Sequence, residues 1–295
     1  MKREENNVEL KLHTMKCNHC GSEVADNVRY CSTCYRDIGF PNVREAGKHQ
    51  EREALDERYR KEIQRSNESG SYKSVQGFEE AMKKTFAVIN VDLDFLLYLF
   101  TNTKALYSSY NIQIRAKIRR PAKPEDDKMR LAVDARLFGN YASEMIYAAL
   151  SLDGRGVKSW GDYSIKLKEI TINHRATLLE DNSFHFFKNH NIGFTQSLPL
   201  GYRAIWEERH KLAVAKLAKL ISDGTSEQEY AKILLYSDGN RETDDFIEVH
   251  IFGIFDINAI ESVKGRFLAR NRDEKVDLEK IKDYLKNAEI GWIEE

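Results

Sequence analysis

The stretch CNHCGSEVADNVRYCSTC, residues 17–34, contains every cysteine of this 295-residue chain. The cysteines form two Cys-x2-Cys pairs separated by ten residues: Cys17 with Cys20, and Cys31 with Cys34. Two such pairs on tight turns can direct four thiolates at one tetrahedral metal ion, which is typical of a structural zinc site. The spacing therefore predicts that residues 1–42 form a small zinc ribbon. A redox-active pair of motifs is the alternative, but no thioredoxin-like pattern surrounds the cysteines.

The charges of this segment leave the role of the ribbon open. Residues 1–42 contain six Lys/Arg and six Asp/Glu, so the ribbon has no net charge that would favour phosphate. Contact with nucleic acid and docking of a protein remain equal alternatives.

The next segment, residues 43–77, is predicted to connect the ribbon to a larger domain. Residues 43–66 are highly charged and place Leu55, Tyr59 and Ile63 at helical spacing, which predicts a long, mostly solvated helix. We interpret it as a connector; a partner-binding or dimerisation helix is the alternative. Residues 67–77 are rich in Ser, Gly and Asn and predict a linker.

Residues 78–295 have the composition of a globular α+β domain. Helices are predicted at 206–222 and, followed by an extended tail, at 277–293. Strands are predicted where apolar residues alternate or cluster: 111–118, 163–167, 230–237 and 246–255. Gly-rich phosphate loops and the motifs GxSxG and HExxH are absent from the sequence.

Overall composition limits the partners of the chain. The formal net charge is -1 and the mean hydropathy is -0.59, so bulk attraction to nucleic acid or a membrane surface is not expected. No apolar run approaches the roughly 18 residues of a membrane helix, and the first residues lack the apolar core of a signal peptide. We expect a cytoplasmic protein without a membrane partner.

Three stretches, read together, resemble the bacterial ADP-ribosyltransferase superfold, in particular toxin-like enzymes that modify nucleic acid. The resemblance extends over about residues 95–265. The first stretch runs from Tyr98 through Phe100-Thr101-Asn102 to Ile112 and is similar to the opening of the DNA-modifying members. The others are YAALSL (147–152) with its downstream WGDY, LK, RAT and NS elements, and FIEVHIFG (246–253). The resemblance implies a split β-sheet domain that uses NAD as substrate.

The resemblance also implies a catalytic site. Glu248 lies at the position of the catalytic glutamate, in a strand whose other face (Ile247, Val249, Ile251) is aliphatic. A carboxylate beside the ribose would stabilise the oxocarbenium-like transition state formed as nicotinamide leaves. The family pattern further implies that four residues contact NAD: Thr101, Asn102, Tyr147 and Ser183.

The sequence departs from the family pattern at several positions. Phe100 precedes Thr101 where other branches have histidine or arginine, and Glu144 replaces an arginine three residues before Tyr147. The anchor for the NAD diphosphate is therefore unassigned. Phe246 stands two residues before Glu248, which disfavours an arginine side chain as acceptor. The candidate anchors are Arg115, Arg119, Arg130 and Arg136.

A basic run, IRAKIRRPAK (114–123), suggests a nucleic-acid acceptor. Its phosphate-binding candidates are Arg115, Lys117, Arg119 and Arg120. RNA or DNA is thus favoured over protein, and a solvated sheet edge is the alternative. With the resemblance, a ribbon joined to a transferase suggests the hypothesis of a toxin of a bacterial defence or toxin–antitoxin system. In that case an antitoxin or docking protein would bind the ribbon and connector helix.

Two other classes of function compete with this hypothesis. One is a non-enzymatic zinc-ribbon protein that binds nucleic acid or protein, which the departures at Phe100 and Glu144 favour. The other is a nuclease, for which the chain has histidines but no spaced motif: His174, His185, His190 and His210.

Overall fold

The computed structural model describes residues 14–102, 104–119, 124–193, 196–266 and 268–294, so Arg120 of the basic run lies outside the described residues. The helices are α1 Pro41–Ala46, α2 His49–Glu68, α3 Tyr72–Met82, α4 Leu93–Thr101, α5 Tyr110–Arg115, α6 Pro124–Phe138, α7 Glu169–Ile172, α8 Ser183–Asn189, α9 Arg209–Leu217, α10 Glu227–Leu234 and α11 Arg272–Asn287. The strands are β1 Thr14–Lys16, β2 Glu23–Ala25, β3 Phe86–Val91, β4 Met145–Ser151, β5 Tyr163–Leu167, β6 Ala176–Leu179, β7 Arg203–Ile205, β8 Glu248–Phe252, β9 Ile260–Gly265 and β10 Gly291–Glu294.

The N-terminal segment forms the predicted four-cysteine cluster on a short antiparallel hairpin. β1 pairs with β2, in the register Met15 opposite Val24. Gly21 follows the first cysteine pair with a φ of 75°, a backbone conformation that suits glycine at this turn. Val24 and Ile38 are buried beside the cysteines in a small apolar cluster of their own. So few apolar side chains make the cluster dependent on its cysteines.

Helix α1 attaches this small unit to the rest of the chain. The Asn42 side chain donates hydrogen bonds to the carbonyl oxygens of Arg175, at 2.9 Å, and His250, at 3.3 Å. Arg44 donates to the carbonyl of Val28, at 2.9 Å, inside the cysteine unit. Phe40 packs against Phe252, with ring centroids 5.4 Å apart. The cysteine unit is therefore held against the end of β8.

Helix α2 confirms the long helix predicted over 43–66, although the helix breaks at residues 47–48. Leu55 is fully buried, and Tyr59 and Ile63 pack on the main core. The chain itself therefore covers the apolar stripe of α2 that the sequence showed.

The predicted linker at 67–77 is wrong, because most of it belongs to α3. Val75, Phe78 and Met82 are completely buried and lie at helical spacing along α3. Ser69, Gly70 and Ser71 occupy the turn from α2 to α3, whereas Ser74 and Gly77 lie within α3.

The main domain is α+β and is built on one sheet in the order β10-β9-β5-β3-β4-β8-β6-β7. Only the β10–β9 pair is parallel. One face of the sheet carries Ile247, Val249 and Ile251, which are completely buried under the helical layer that includes α2, α3 and α9. The opposite face carries Glu248 and His250 and is covered by a second apolar cluster from α6 and α8.

The sheet opens between its two central strands. β3 and β4 pair only through Phe86–Val88, opposite residues 151–149. Beyond these three pairs, β3 continues against β5 and β4 continues against β8. The described strands thus form one hydrogen-bonded sheet in which β3 and β4 separate beyond Val88. The split sheet that the resemblance implies stays a prediction.

Some of the helices and strands predicted for residues 78–295 are confirmed and others are wrong. The strands at 163–167 and 246–255 and the helices at 206–222 and 277–293 are confirmed as β5, β8, α9 and α11, with β10 as the extended tail. The strands predicted at 111–118 and 230–237 are wrong, because these residues form α5 and α10. Among the described helices, none is both long and apolar enough to span a bilayer.

Candidate active site

The four cysteines meet the geometric requirements of a metal centre. Their sulfur atoms all lie within 4.8 Å of one another. The Cys17–Cys34 distance is 3.8 Å and the Cys20–Cys31 distance is 3.6 Å. These values match the edge of roughly 3.8 Å of a tetrahedron with metal–sulfur bonds of about 2.3 Å. The cluster can therefore bind one metal ion.

A second candidate site is a recess of ≈ 90 Å³ at the place where β3 and β4 separate. Val88 and Asn90 of β3 form one side, and Tyr147 and Ala149 of β4 form the other. Glu248 of the adjacent strand β8 is opposite Ala149 in the sheet register and lines the same recess. The Glu248 carboxylate therefore lies at a cavity beside the point where β3 and β4 separate.

Glu248 is a buried carboxylate, with 5% of its surface exposed. Its Oε2 atom accepts a hydrogen bond of 2.8 Å from the backbone N–H of Ser183 and another from the Ser183 hydroxyl. Ser183 begins α8, and Asn182 caps that helix by accepting a hydrogen bond from the backbone of Phe184. Two hydrogen bonds to one oxygen fix the position of the carboxylate.

His250, two residues along β8, lies beside Glu248. Its Nε2 atom is 3.4 Å from Glu248 Oε2, without hydrogen-bond geometry, and the residue is 2% exposed. The His250 ring contacts the edges of Phe138 and Tyr147, at centroid distances of 4.9 Å and 5.1 Å. The His250 side chain packs beside the carboxylate and is not part of the lining of the recess.

A second carboxylate, Asp134 of α6, also lines the recess. It is 4% exposed and accepts a hydrogen bond from the Tyr147 hydroxyl. Burial raises the pKa of Asp134, and the charge of Glu248 raises it further, whereas the Tyr147 hydroxyl acts in the opposite direction. Burial and both carboxylates raise the pKa of Tyr147 well above its ordinary value, so its hydroxyl keeps its proton.

Two arginines, Arg119 and Arg130, line the recess, and together with Arg241 they lie over aromatic rings. Arg119 and Arg130 lie over Tyr110, at 5.4 Å and 4.7 Å from the ring centroid. Arg130 and Arg241 lie over Trp160, at 5.4 Å and 4.3 Å. No carboxylate of a described side chain comes within 4.0 Å of the three guanidinium groups. These cations are free to meet an anion.

The recess adjoins a larger cleft of ≈ 1090 Å³, which shares Tyr110, Arg130 and Trp160 with it. Residues of α6 and α8 form one wall of the cleft, and Arg241 and Glu242 form part of another. A cleft of this size can hold a ligand of nucleotide size and an acceptor group together.

The structure brings together some of the predicted site residues. Tyr147, Ser183 and Glu248 all line the recess. Thr101 and Asn102 do not line it: they end helix α4, are exposed, and do not follow a strand as predicted. Their prediction failed because the strand that precedes them, β3, ends ten residues earlier at Val91.

Of the candidate diphosphate anchors and the residues of the basic run, some line the recess and others lie away from it. Arg119 and Arg130 reach the recess, whereas Arg115 and Lys117 are exposed outside both cavities. Arg136 donates to the carbonyl of Gln196. This leaves Arg119 and Arg130 as the arginines that can contact a ligand in the recess.

Sequence reasoning missed Asp134 and Trp160. Asp134 stands beside Val133 within the otherwise apolar face of α6, and a charged residue in such a position signals a buried polar role. Trp160 belongs to the WGDY element of the resemblance, but it lies in the loop before β5 and nothing in the pattern gave it a role in a site.

No protein-family model matches the chain, and no curated protein matches it. The resemblance to ADP-ribosyltransferases therefore remains a prediction from the residues quoted above.

Proposed function

We propose that this chain is an ADP-ribosyltransferase that cleaves NAD in the recess between β3 and β4, with Glu248 as the catalytic carboxylate. The observation that carries the proposal is the position of Glu248: it is buried, fixed by both donors of Ser183, and faces a cavity at the opening of the sheet.

The chemistry of the recess favours a flat, positively charged group. Two carboxylates, Glu248 and Asp134, face a small cavity with aromatic walls that include Tyr147. Burying two negative charges together is costly, and a cationic ligand would add to the favourable interaction that Arg130 already makes with Asp134. The nicotinamide ring of NAD is a flat cation, and the ribose left behind becomes an oxocarbenium-like cation. Both species would be stabilised by these carboxylates and by ring stacking.

Two arginines are placed to bind the diphosphate of NAD. Arg119 and Arg130 border both cavities, and neither is neutralised by a described carboxylate. Guanidinium groups bind phosphate oxygens in bidentate geometry. These two residues are the candidates for the diphosphate of NAD, which the sequence left unassigned.

Nucleic acid is the acceptor class that we favour. Trp160 offers an aromatic platform in the large cleft, and Arg241 lies over it at 4.3 Å. Base stacking on an aromatic ring next to a cation is a general means of binding single strands. A role as the toxin of a defence or toxin–antitoxin system would follow from this activity and rests on the family resemblance alone.

Zinc is the metal that we assign to the four-cysteine cluster. Four thiolates in a closed tetrahedral arrangement are the donor set of structural zinc sites. Because residues of the cysteine unit line neither cavity, the metal would stabilise a docking surface without taking part in NAD cleavage.

The test uses NAD labelled on its adenylate half. The purified protein and its Glu248→Gln variant are incubated with separate pools of protein, RNA and DNA. We expect label in the RNA or DNA pool and its loss in the variant. Gln retains an oxygen that can accept the Ser183 hydrogen bonds, so the fold should persist. Absence of label from every pool, with folded and metal-loaded protein, would contradict the proposal and favour a non-enzymatic binding protein.

A further inference from the structure

Asp134 is a buried carboxylate in surroundings where a structural role does not require a charge. It lies on α6 among the apolar side chains Val133, Leu137 and Phe138, yet it faces the recess. Its described hydrogen-bond partner is the Tyr147 hydroxyl. An apolar residue or an asparagine would fill this place at a lower desolvation cost than a carboxylate.

The charged and titratable groups around Asp134 come from three elements. Arg130 lies one helical turn away on α6 and lowers the pKa of Asp134, as do the Tyr147 hydroxyl of β4 and His250 of β8. Glu248 of β8 raises it. Burial is the largest effect, and the pKa of Asp134 lies above its usual value. A carboxylate so placed is a better proton acceptor than one in water.

We infer that Asp134 is the general base of the transfer reaction, which rests on the proposed function of the recess. Glu248 and Asp134 would then have different roles in the same reaction. Glu248 stabilises the ribosyl cation, while Asp134 receives the proton of the attacking nucleophile. Tyr147 holds Asp134 by donating to Oδ1.

The proton balance of the reaction requires such a group. The bond between the ribosyl C1′ atom and nicotinamide breaks, and nicotinamide leaves as a neutral molecule with the bonding electron pair. A bond forms between C1′ and an oxygen or nitrogen of the acceptor, or a water oxygen in hydrolysis. That nucleophile loses one proton, which the Asp134 carboxylate takes and later releases to solvent. No oxidant or reductant is involved.

The test measures nicotinamide release from NAD, with water as the nucleophile, as a function of pH. Three proteins are compared: wild type, Asp134→Asn and Tyr147→Phe. We expect Asp134→Asn to lower the rate constant at neutral pH about 100-fold, the lower end of general-base contributions. We also expect it to abolish the fall in rate on the acid side of the profile.

The Tyr147→Phe variant distinguishes a general base from a structural residue. If Asp134 were only structural, the acid limb of the pH–rate profile would not shift in this variant. Loss of the tyrosine hydroxyl removes a hydrogen bond that lowers the pKa of Asp134. The acid limb of the profile should therefore shift to higher pH in this variant. NAD binding by calorimetry is the control, and both variants should still bind NAD.

The outcomes separate this inference from the proposed function. Nicotinamide release by wild type, with an unchanged acid limb in both variants, would overturn the role of Asp134 and leave the transferase intact. Absence of release by wild type would overturn the proposed function itself. If Asp134→Asn does not fold, the direction of the shift in Tyr147→Phe still decides the matter.

Discussion

At the scale of single residues, the account depends on carboxylates that are buried for a chemical purpose. Glu248 has both donors of Ser183 on one oxygen, and Asp134 has the Tyr147 hydroxyl. The alternation of residues 246–252 correctly predicted which residues of β8 pack into the aliphatic core. It could not reveal Asp134, because that residue reaches the recess from a helix more than 100 positions away in sequence.

Ser183→Ala tests the support of Glu248. The variant keeps the backbone N–H bond and loses the hydroxyl bond, so the carboxylate becomes less well fixed. We expect the rate of NAD cleavage to fall about tenfold, since a hydrogen bond to a charged group contributes about 1.5–3 kcal/mol. Steady-state kinetics of nicotinamide release measures the effect. Ser66→Ala, which removes a buried hydroxyl bonded to the carbonyl of Ile63 outside both cavities, is the matched control and should leave the rate unchanged.

Asp134→Asn should reveal the stability cost of its charge. The folded-state pKa of Asp134 is raised above the ordinary value of 3.8, so the wild-type protein loses stability as pH rises from that value through the folded pKa. Asparagine resembles the protonated form and avoids this loss. We expect the variant to have the higher free energy of unfolding at pH 7, and the difference to vanish toward pH 3.8.

Urea denaturation at several pH values measures this difference. A variant that is less stable than wild type at pH 7, by an amount independent of pH, would show that Asp134 is a structural group.

At the scale of elements, the separation of β3 from β4 creates the site. The loop after residue 158 packs against β3 at this site. Asn90 of β3 donates a hydrogen bond of 3.0 Å to the carbonyl of Gly161 in that loop. Gly161 has a φ of 148°, and a Cβ atom there would lie 2.3 Å from the carbonyl carbon of Val91. Only glycine fits between the loop and the strand.

Gly161→Ala should therefore destabilise the domain. Backbone strain and the clash with β3 together predict a loss of about 2–4 kcal/mol in the free energy of unfolding. Gly224→Ala is the control, because its φ of 87° is also positive but no atom lies within 4 Å of the added Cβ. Equal losses in the two variants, measured by thermal unfolding, would contradict the close packing of the loop on β3.

Local sequence signals explain which elements were predictable. Strand β8 alternates and helix α9 has a regular apolar face, so both could be identified from periodicity alone. Helix α10 was missed although Ser226 and Glu229 form a capping box that marks its start. Helix α5 was read as a strand because its isoleucines alternate, yet Ser109 caps the helix and Gln113 is the buried residue.

At the scale of the whole molecule, two units with separate cores are joined through α1. The apolar cluster around the cysteines shares no residue with the main core. The Cys-x2-Cys spacing predicted the first unit, since metal ligation is a local pattern. The opening of the sheet in the second unit depends on strand pairings between distant segments, and no local pattern contains that information.

Removal of the metal should affect the two units differently. We expect one zinc ion per chain by mass spectrometry under native conditions, and its loss in a Cys17→Ser, Cys20→Ser double variant. The cysteine unit should then unfold, because its few apolar residues cannot stabilise it alone. Nicotinamide release should be unchanged, since that unit lines neither cavity. Loss of release together with the metal would show that the two units are coupled.

The central claim is that the recess binds NAD and that Glu248 cleaves it. The most direct measurement follows NAD binding by calorimetry and nicotinamide release by chromatography, for wild type and Glu248→Gln in parallel. The account predicts that both proteins bind NAD and that only wild type releases nicotinamide at a substantial rate, with a loss of about 100- to 1,000-fold in the variant. Absence of NAD binding by the folded wild-type protein, or equal release by both proteins, would contradict it.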